Sequence, residues 1–312
     1  MSIATILSLG QTALEIGLIS SLTVLALFLS YLMLNVCDLS TDGCYTLGAA
    51  VGAMVAVSGH PLLSIPAAMA AGAVSGFVTA ILQTKMGVES LLAGIIVNTG
   101  LYSVNIAVMG NSSLVNMNTT TTVFTMLKSA LEGTPLAGYY KLMIALAAVA
   151  LVIAFLGIFL RTRLGLAIRA TGNNPDMVRS SSINPAFTTI VGLCISNSFT
   201  GLSGCLMAQS QKSVNIDIGS GMLTVALASL LIGVTFLGKG GIVMRACGVV
   251  LGAIIFRFVY TIALRFNMPA SMLKLVSSVI VVIAISAPYF KSQWPMIRRR
   301  MTHGRADTKG GE

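Results

Sequence analysis

Apolar and polar positions divide the chain into nine apolar runs, at about 11–35, 46–58, 62–82, 89–109, 140–160, 187–208, 222–237, 243–264 and 270–289. Most run for about 20 residues without a polar face, the length at which a helix rising 1.5 Å per residue crosses a hydrocarbon core of roughly 30 Å. The run at 46–58 is too short to cross as a straight helix. It is therefore either extended by its polar flank or broken, and a broken segment is tolerated only where it lines a cavity or the protein interior. The pattern predicts an all-α, polytopic integral membrane protein of about nine helical segments, within a range of 8–10. Residues 1–297 form a single membrane domain in this reading, and 298–312 a basic, disordered tail.

Composition agrees. Of 312 residues, 55% are hydrophobic and only 9% charged, against roughly 25% charged in a soluble domain, and the mean hydropathy is +0.91. The net charge of +10 lies between the apolar runs and in the tail, with no basic stripe interleaved with aromatics. It reports orientation in a bilayer, and nucleic acid is not an expected partner. If nine segments cross, the termini lie on opposite sides. Placing the C-terminus inside puts Lys85, Arg161, Arg163, Arg169, Arg179, Lys239, Arg245, Lys291 and the tail cations in the cytoplasm, with Lys128, Lys141, Lys212 and Arg265 outside and Lys274 near that edge. The N-terminus is then outside, and so are the Thr/Asn-rich loop 110–139 and the loop 209–221. The first basic residue is Lys85, so the positive start of a cleavable signal peptide is missing and no cleavage is expected.

Catalytic groups are sparse. The two histidines, His60 and His303, stand in a turn and in the tail, and the five cysteines lack CxxC spacing, so they read as small hydrophobes. No metal cluster or nucleophile–base pair can be assembled, and an enzyme is not expected. Gly233-x4-Gly238-Lys239-Gly240 approaches a phosphate loop but has glycine where the Mg²⁺-binding hydroxyl belongs. It reads better as a glycine-rich turn. Of the nine acids, only Glu15 and Glu89 fall where a span could hold them, which argues against a proton-driven carrier. Gly48-x3-Gly52, Gly72-x3-Gly76 and Gly248-x3-Gly252 mark candidate close helix contacts.

The longest loop between runs, 161–185, contains Asn174-Pro175-Asp176, a helix start with proline and an acid in the first turn. A short basic helix here is either an ordinary loop helix or one that docks a soluble partner. Arg257 lies about 14 residues into its run, where an arginine is costly to leave facing lipid. It either attracts a solute carboxylate, or pairs with helix carbonyls or snorkels. Asp38 and Asp42 flank the short run and either cap a broken helix or touch solute.

Three blocks carry a resemblance. Arg169-Ala170-Thr171-Gly172-Asn173-Asn174-Pro175, closed by Ile183-Asn184, is similar to the ATPase-coupling loop in permease subunits of bacterial ABC importers of the branched-chain amino acid and ribose type. Ser182 stands where that family usually has glycine. Cys37-Asp38-Leu39-Ser40-Thr41-Asp42-Gly43 resembles the segment before the family's short central helix, and Leu231–Ile242 resembles its glycine-rich turn. Ile255-Phe256-Arg257-Phe258 with Leu273-Lys274-Leu275 looks like a subgroup linked to tryptophan and tyrosine uptake, although Met272 occupies a place where that subgroup often has an acid.

The resemblance implies a permease subunit of an ATP-driven importer in the bacterial plasma membrane, moving a small solute, expected to be an amino acid, by alternating access. Its implied partners are a pair of ABC ATPases, an extracytoplasmic solute-binding protein, a second permease copy and the lipid bilayer. The chain itself holds no cofactor, ATP and Mg²⁺ belonging to the ATPases. Arg169, Ala170, Gly172, Asn173, Asn174, Pro175, Asp176 and Arg179 are the coupling residues it implies, and Asp38, Ser40, Asp42, Asn98 and Arg257 the candidates along the solute pathway. A stand-alone carrier or facilitator, an exporter, and an importer of a sugar, nucleoside or vitamin are the alternatives.

Overall fold

The computed structural model describes residues 3–132, 138–237 and 240–265, with single positions at 275, 278, 279, 281, 282 and 286. The rest of the ninth run, Lys274, Gly238, Lys239 and the tail 298–312 lie outside the described residues. Helix α1 (Ile3–Leu27) is extended by one wider π-helical turn to Met33. It is followed by α2 (Thr41–Val57), α3 (Ser64–Thr84), α4 (Ser90–Val108), α5 (Val123–Ala130), α6 (Tyr140–Phe159), α7 (Arg163–Asn173), α8 (Pro175–Ser180), α9 (Pro185–Gln211), α10 (Met222–Leu237) and α11 (Ile242–Arg265). Among the described residues six stretches are long and apolar enough to cross a membrane: Leu9–Met33, Ser64–Thr84, Ser90–Val108, Tyr140–Phe159, Pro185–Gln211 and Ile242–Ala263. Together with the shorter apolar helices α2 and α10, they account for the first eight apolar runs.

Helix α9 is the axis of the molecule. Its hydroxyls fasten α1 in antiparallel register, Ser196 Oγ donating to the Ala26 carbonyl (2.8 Å) and Ser203 Oγ to that of Ile19 (2.7 Å). Glycines let α2 and α3 approach it backbone to backbone. A β-carbon on Gly48 would overlap the Gly201 carbonyl, and one on Gly72 would overlap that of Asn197. Lipid supplies no hydrophobic drive for helix association, so such close van der Waals contact is what holds spans together. The other paired glycines are contacts too: Gly52 lies against Cys205, Gly76 against the Leu193 carbonyl, and Gly248 and Gly252 against α10.

These pairings fix direction. α2 runs parallel to α9, with Cys44 beside Asn197 and Gly52 beside Cys205, whereas α3 runs antiparallel, from Ser64 beside Gln209 to Gly76 beside Leu193. α2 therefore begins level with Asn197, near the middle of α9. The chain enters it through an irregular segment, 35–38, with Asn35 in the left-handed region, that leads up from the end of α1. The short second run is thus lengthened by its polar flank into a helix of 17 residues that starts inside the protein. α10 also starts at this level, because the side chain of Asp42, in the first turn of α2, bonds its first residues.

Two expectations need correction. The reading as purely helical missed a two-stranded antiparallel sheet in which β1 (Leu114–Asn116) pairs with β2 (Ser213–Asn215) at the far end of α9 from α7 and α8. Strands this short carry no periodic signal. Beside them the threonine run has a local role: Thr122 caps α5, with reciprocal bonds to Thr125. The second correction concerns acids. Only Glu15 and Glu89 were expected where a span could hold them, yet Asp38 is buried and Asp42 half-buried at helix starts inside the helix assembly, because the segment before α2 folds inward.

Candidate functional site

The start of α2 is held by its own sequence. Asp38 accepts from the Ser40 backbone N–H (2.9 Å) and from Ser40 Oγ (2.6 Å), a turn in which a short carboxylate reaches two residues along the chain. Its second oxygen accepts from Asn197 Nδ2 of α9 (2.8 Å), and Thr79 Oγ1 of α3 reaches Ser40 Oγ (3.3 Å). Asp38 and Ser40 are fully buried, so this network ties α2, α3 and α9 together.

Asp42 performs the corresponding task for α10. Its carboxylate accepts from the backbone N–H groups of Gly221 (2.9 Å) and Leu223 (2.7 Å), satisfying donors at a helix start that has no hydroxyl cap of its own. Two helices of opposite direction thus begin at one level, each start carrying a carboxylate against the positive end of its dipole.

Beside this junction lies a cup of about 280 Å³. Asp42, Gly43 and Thr46 of α2 form one wall, Asn98, Tyr102 and Asn105 of α4 a second, and Asp217 and Ser220 of the segment entering α10 the third. Asn98 Oδ1 is directed at Gly43, where a β-carbon would stand 2.7 Å from it. Asn105 Nδ2 donates to the Gly43 carbonyl (3.2 Å), while its Oδ1 is buried without a partner.

Arg257 is elsewhere. It points from α11 across to α1, where Nε and Nη2 both donate to Ser20 Oγ (3.2 and 2.9 Å), and it lies over the Tyr260 ring. Nη2 also touches Met222 Sδ (3.8 Å), the first residue of α10. Among the described residues no carboxylate lies within ion-pairing distance of it. Its partner is therefore a hydroxyl, neither the helix carbonyl nor the outer edge that the sequence suggested.

The loop after α6 folds into two short helices meeting at Asn174. Asn174 Oδ1 accepts from the N–H groups of Asp176 and Met177, with Pro175 in the first turn. α7 is seated by Gly172, which packs on the Met33 carbonyl, and by Thr171 Oγ1 against Thr188 Oγ1 of α9 (2.8 Å). Val178 is buried, whereas Asn173, Asn174, Pro175, Asp176, Met177 and Arg179 are exposed, with Arg169 half-buried and Ala170 on the outer face. Met177, Leu166 and Leu164 add apolar surface to this basic element.

Of the five pathway candidates, only Asp42 and Asn98 line the cup. Asp38 and Ser40 stand one layer behind it, and Arg257 lies beyond the start of α10. Sequence reasoning missed Thr46, Tyr102, Asn105, Asp217 and Ser220. Asn98, Tyr102 and Asn105 had a usable signal, since spacings of four and three place them on one face of an otherwise apolar helix. Asp217 and Ser220 had none, because their approach depends on contacts about 180 residues apart.

The chain has recognisable relatives. The family described as branched-chain amino acid transport system / permease component matches residues 12–285. The tyrosine transport system permease protein of Clostridioides difficile (strain R20291) is 32% identical over 267 residues, covering 85% of this chain and 86% of that one. An uncharacterized protein of Rickettsia prowazekii (strain Madrid E) is 34% identical, covering 71% and 75%. The ribose import permease protein of Escherichia coli (strain K12) is 28% identical, covering 80% and 75%. No solved structure matches the chain.

Proposed function

The chain belongs to the branched-chain amino acid transport system permease family, a multi-pass membrane component of ABC-type transport, and from that premise we propose that it is the membrane-spanning subunit of an ATP-driven importer of an amino acid in the bacterial plasma membrane. The observation that carries this reading is the α7–α8 element. It offers an exposed helix with apolar and basic side chains, braced at Gly172 and Thr171 against the end of α1 and the base of α9. A soluble ATPase pressing on α8 would move both helices, and they lead directly to the two helix starts at Asp38 and Asp42. In this reading the α7–α8 end is cytoplasmic and the N-terminus outside. A binding protein delivers solute at the β1–β2 end, and a second copy of the chain completes the path. Residues 1–297 act as one domain, with the basic tail 298–312 in the cytoplasm.

The amino acid assignment rests on the tyrosine permease relative and on the cup, whose polar lining fits a small polar solute better than an apolar one. No chemistry is performed on the solute. The cup is a way-station, opened to one side and then the other as the ATPases close. Deleting residues 172–180 from the affinity-tagged chain tests the coupling. The ATPase should be lost from mild-detergent preparations while monodisperse permease is retained, and ATPase recovered at wild-type levels would refute the assignment.

A further inference from the structure

We propose that the cup beside the junction of α2 and α10 is an ammonium-recognition site, so that a solute is read here by its positively charged nitrogen and not by its carboxylate. The proposal deepens the transport reading and rests on it for the identity of the solute as cargo. The first observation is the character of the lining. Asp42 and Asp217 supply two of the chain's nine acids to one small cup, and among the described residues no lysine, arginine or histidine lines it.

The second is Asn105. It is 1% exposed, and its amide is oriented by the Nδ2 bond to the Gly43 carbonyl, which leaves Oδ1 as a buried acceptor without a donor. A buried acceptor left unpaired costs about 1–3 kcal/mol; Asn105 is one of the residues lining the cup, and a solute N–H that reaches its Oδ1 from there removes that cost. Tyr102 adds an aromatic face, which attracts cations.

Electrostatic bookkeeping favours the same sign. Two helix starts contribute about +0.5 each, and Arg257 contributes one full positive charge behind Met222. Against them stand the carboxylates of Asp38, Asp42 and Asp217. The junction is short of positive charge by about one unit, the charge of one ammonium. Both helix starts already hold a protein carboxylate, so the backbone donors that would bind a solute carboxylate are occupied.

The test uses Ser220→Cys, at an exposed position on the rim, in the full-length chain purified with whatever subunits accompany it. Labelling rates with cationic 2-aminoethyl and anionic 2-sulfonatoethyl methanethiosulfonate are compared, each corrected for the parent protein's cysteines and normalised to a free thiol. A preference of about tenfold or more for the cation is expected, an interaction difference of about 1.4 kcal/mol. Asp217→Asn and Asn105→Leu should each reduce it severalfold. Tyramine should slow labelling more than 3-(4-hydroxyphenyl)propionate does. A ratio near one, a preference for the anion, or protection by the carboxylate alone or by neither compound overturns the proposal. Because the labelling ratio needs no ATPase, it can succeed where the importer reading fails, and fail where that reading holds.

Discussion

Helices α6 and α9 both cross the full length of the protein, yet they solve opposite problems. α6 reads as an almost unbroken series of Leu, Ile, Val, Ala and Phe, and only 28% of its central window is buried in the protein. α9 is laced with Ser, Thr, Asn and Gln, and 72% of its window is buried. In water the more hydrophobic helix would be the inner one. In a bilayer both surroundings are apolar, so hydrophobicity stops sorting helices and the sorting falls to hydrogen bonding and close packing. Ser196, Asn197, Ser203 and Gln209 on α9 each find a partner on α1, α3 or the segment before α2.

That contrast is open to attack by substitution. The strongest attack is Gly48→Val on α2, whose branched side chain would collide with the Gly201 backbone of α9. Overpacking of this kind costs about 1–3 kcal/mol or more, and with no side chain to yield, loss of monodisperse protein in size-exclusion chromatography is expected. Normal yield and melting would show that α2 and α9 do not depend on this approach. Next is Asn197→Leu, which adds hydrophobic surface to α9 but removes the Asp38 partner. A loss of about 2 kcal/mol is expected, seen as a lower melting temperature, whereas a gain would return the helix to aqueous rules.

Arg257→Met is expected to be neutral or stabilising by about 1 kcal/mol, because a half-buried guanidinium held by Ser20 Oγ, Met222 Sδ and the Tyr260 ring, with no carboxylate partner among the described residues, is replaced by an apolar chain of similar length. Solute uptake should nevertheless fall, since Arg257 braces the first residue of α10. Unchanged uptake would make this arginine purely structural. The smallest effect belongs to α6: Leu151, 71% exposed, should tolerate alanine within about 0.5 kcal/mol. A larger loss would mean that protein, not lipid, covers that face.

Much of this architecture was legible in the sequence because lipid imposes a length rule. The first eight runs reappear as helices, and the paired glycines at 48/52, 72/76 and 248/252 are real contacts. The turn at Asn174-Pro175-Asp176 was legible because capping is local chemistry. The inward fold before α2 was not, since it depends on Asp38 finding Asn197 across 159 positions. The bond from Asp42 to the start of α10 escaped for the same reason, as did the pairing of β1 with β2. Two of the five pathway candidates reached the cup, and the rest of its lining came from elements whose approach no local pattern encodes. The scarcity of acids within spans also loses its force as an argument against ion-driven transport, because Asp42 stands at the junction itself. The α7–α8 element carries that distinction instead.

The central claim is that events at α8 are transmitted along α1 and α9 to the cup. Its most direct test is the labelling rate of Ser220→Cys in the chain purified together with the proposed ATPase, with and without ATP and vanadate. The account predicts a severalfold change in rate on nucleotide trapping, abolished by deletion of residues 172–180. A rate indifferent to ATP in the assembled complex but altered by a proton or sodium gradient in liposomes would contradict it and identify an ion-driven carrier.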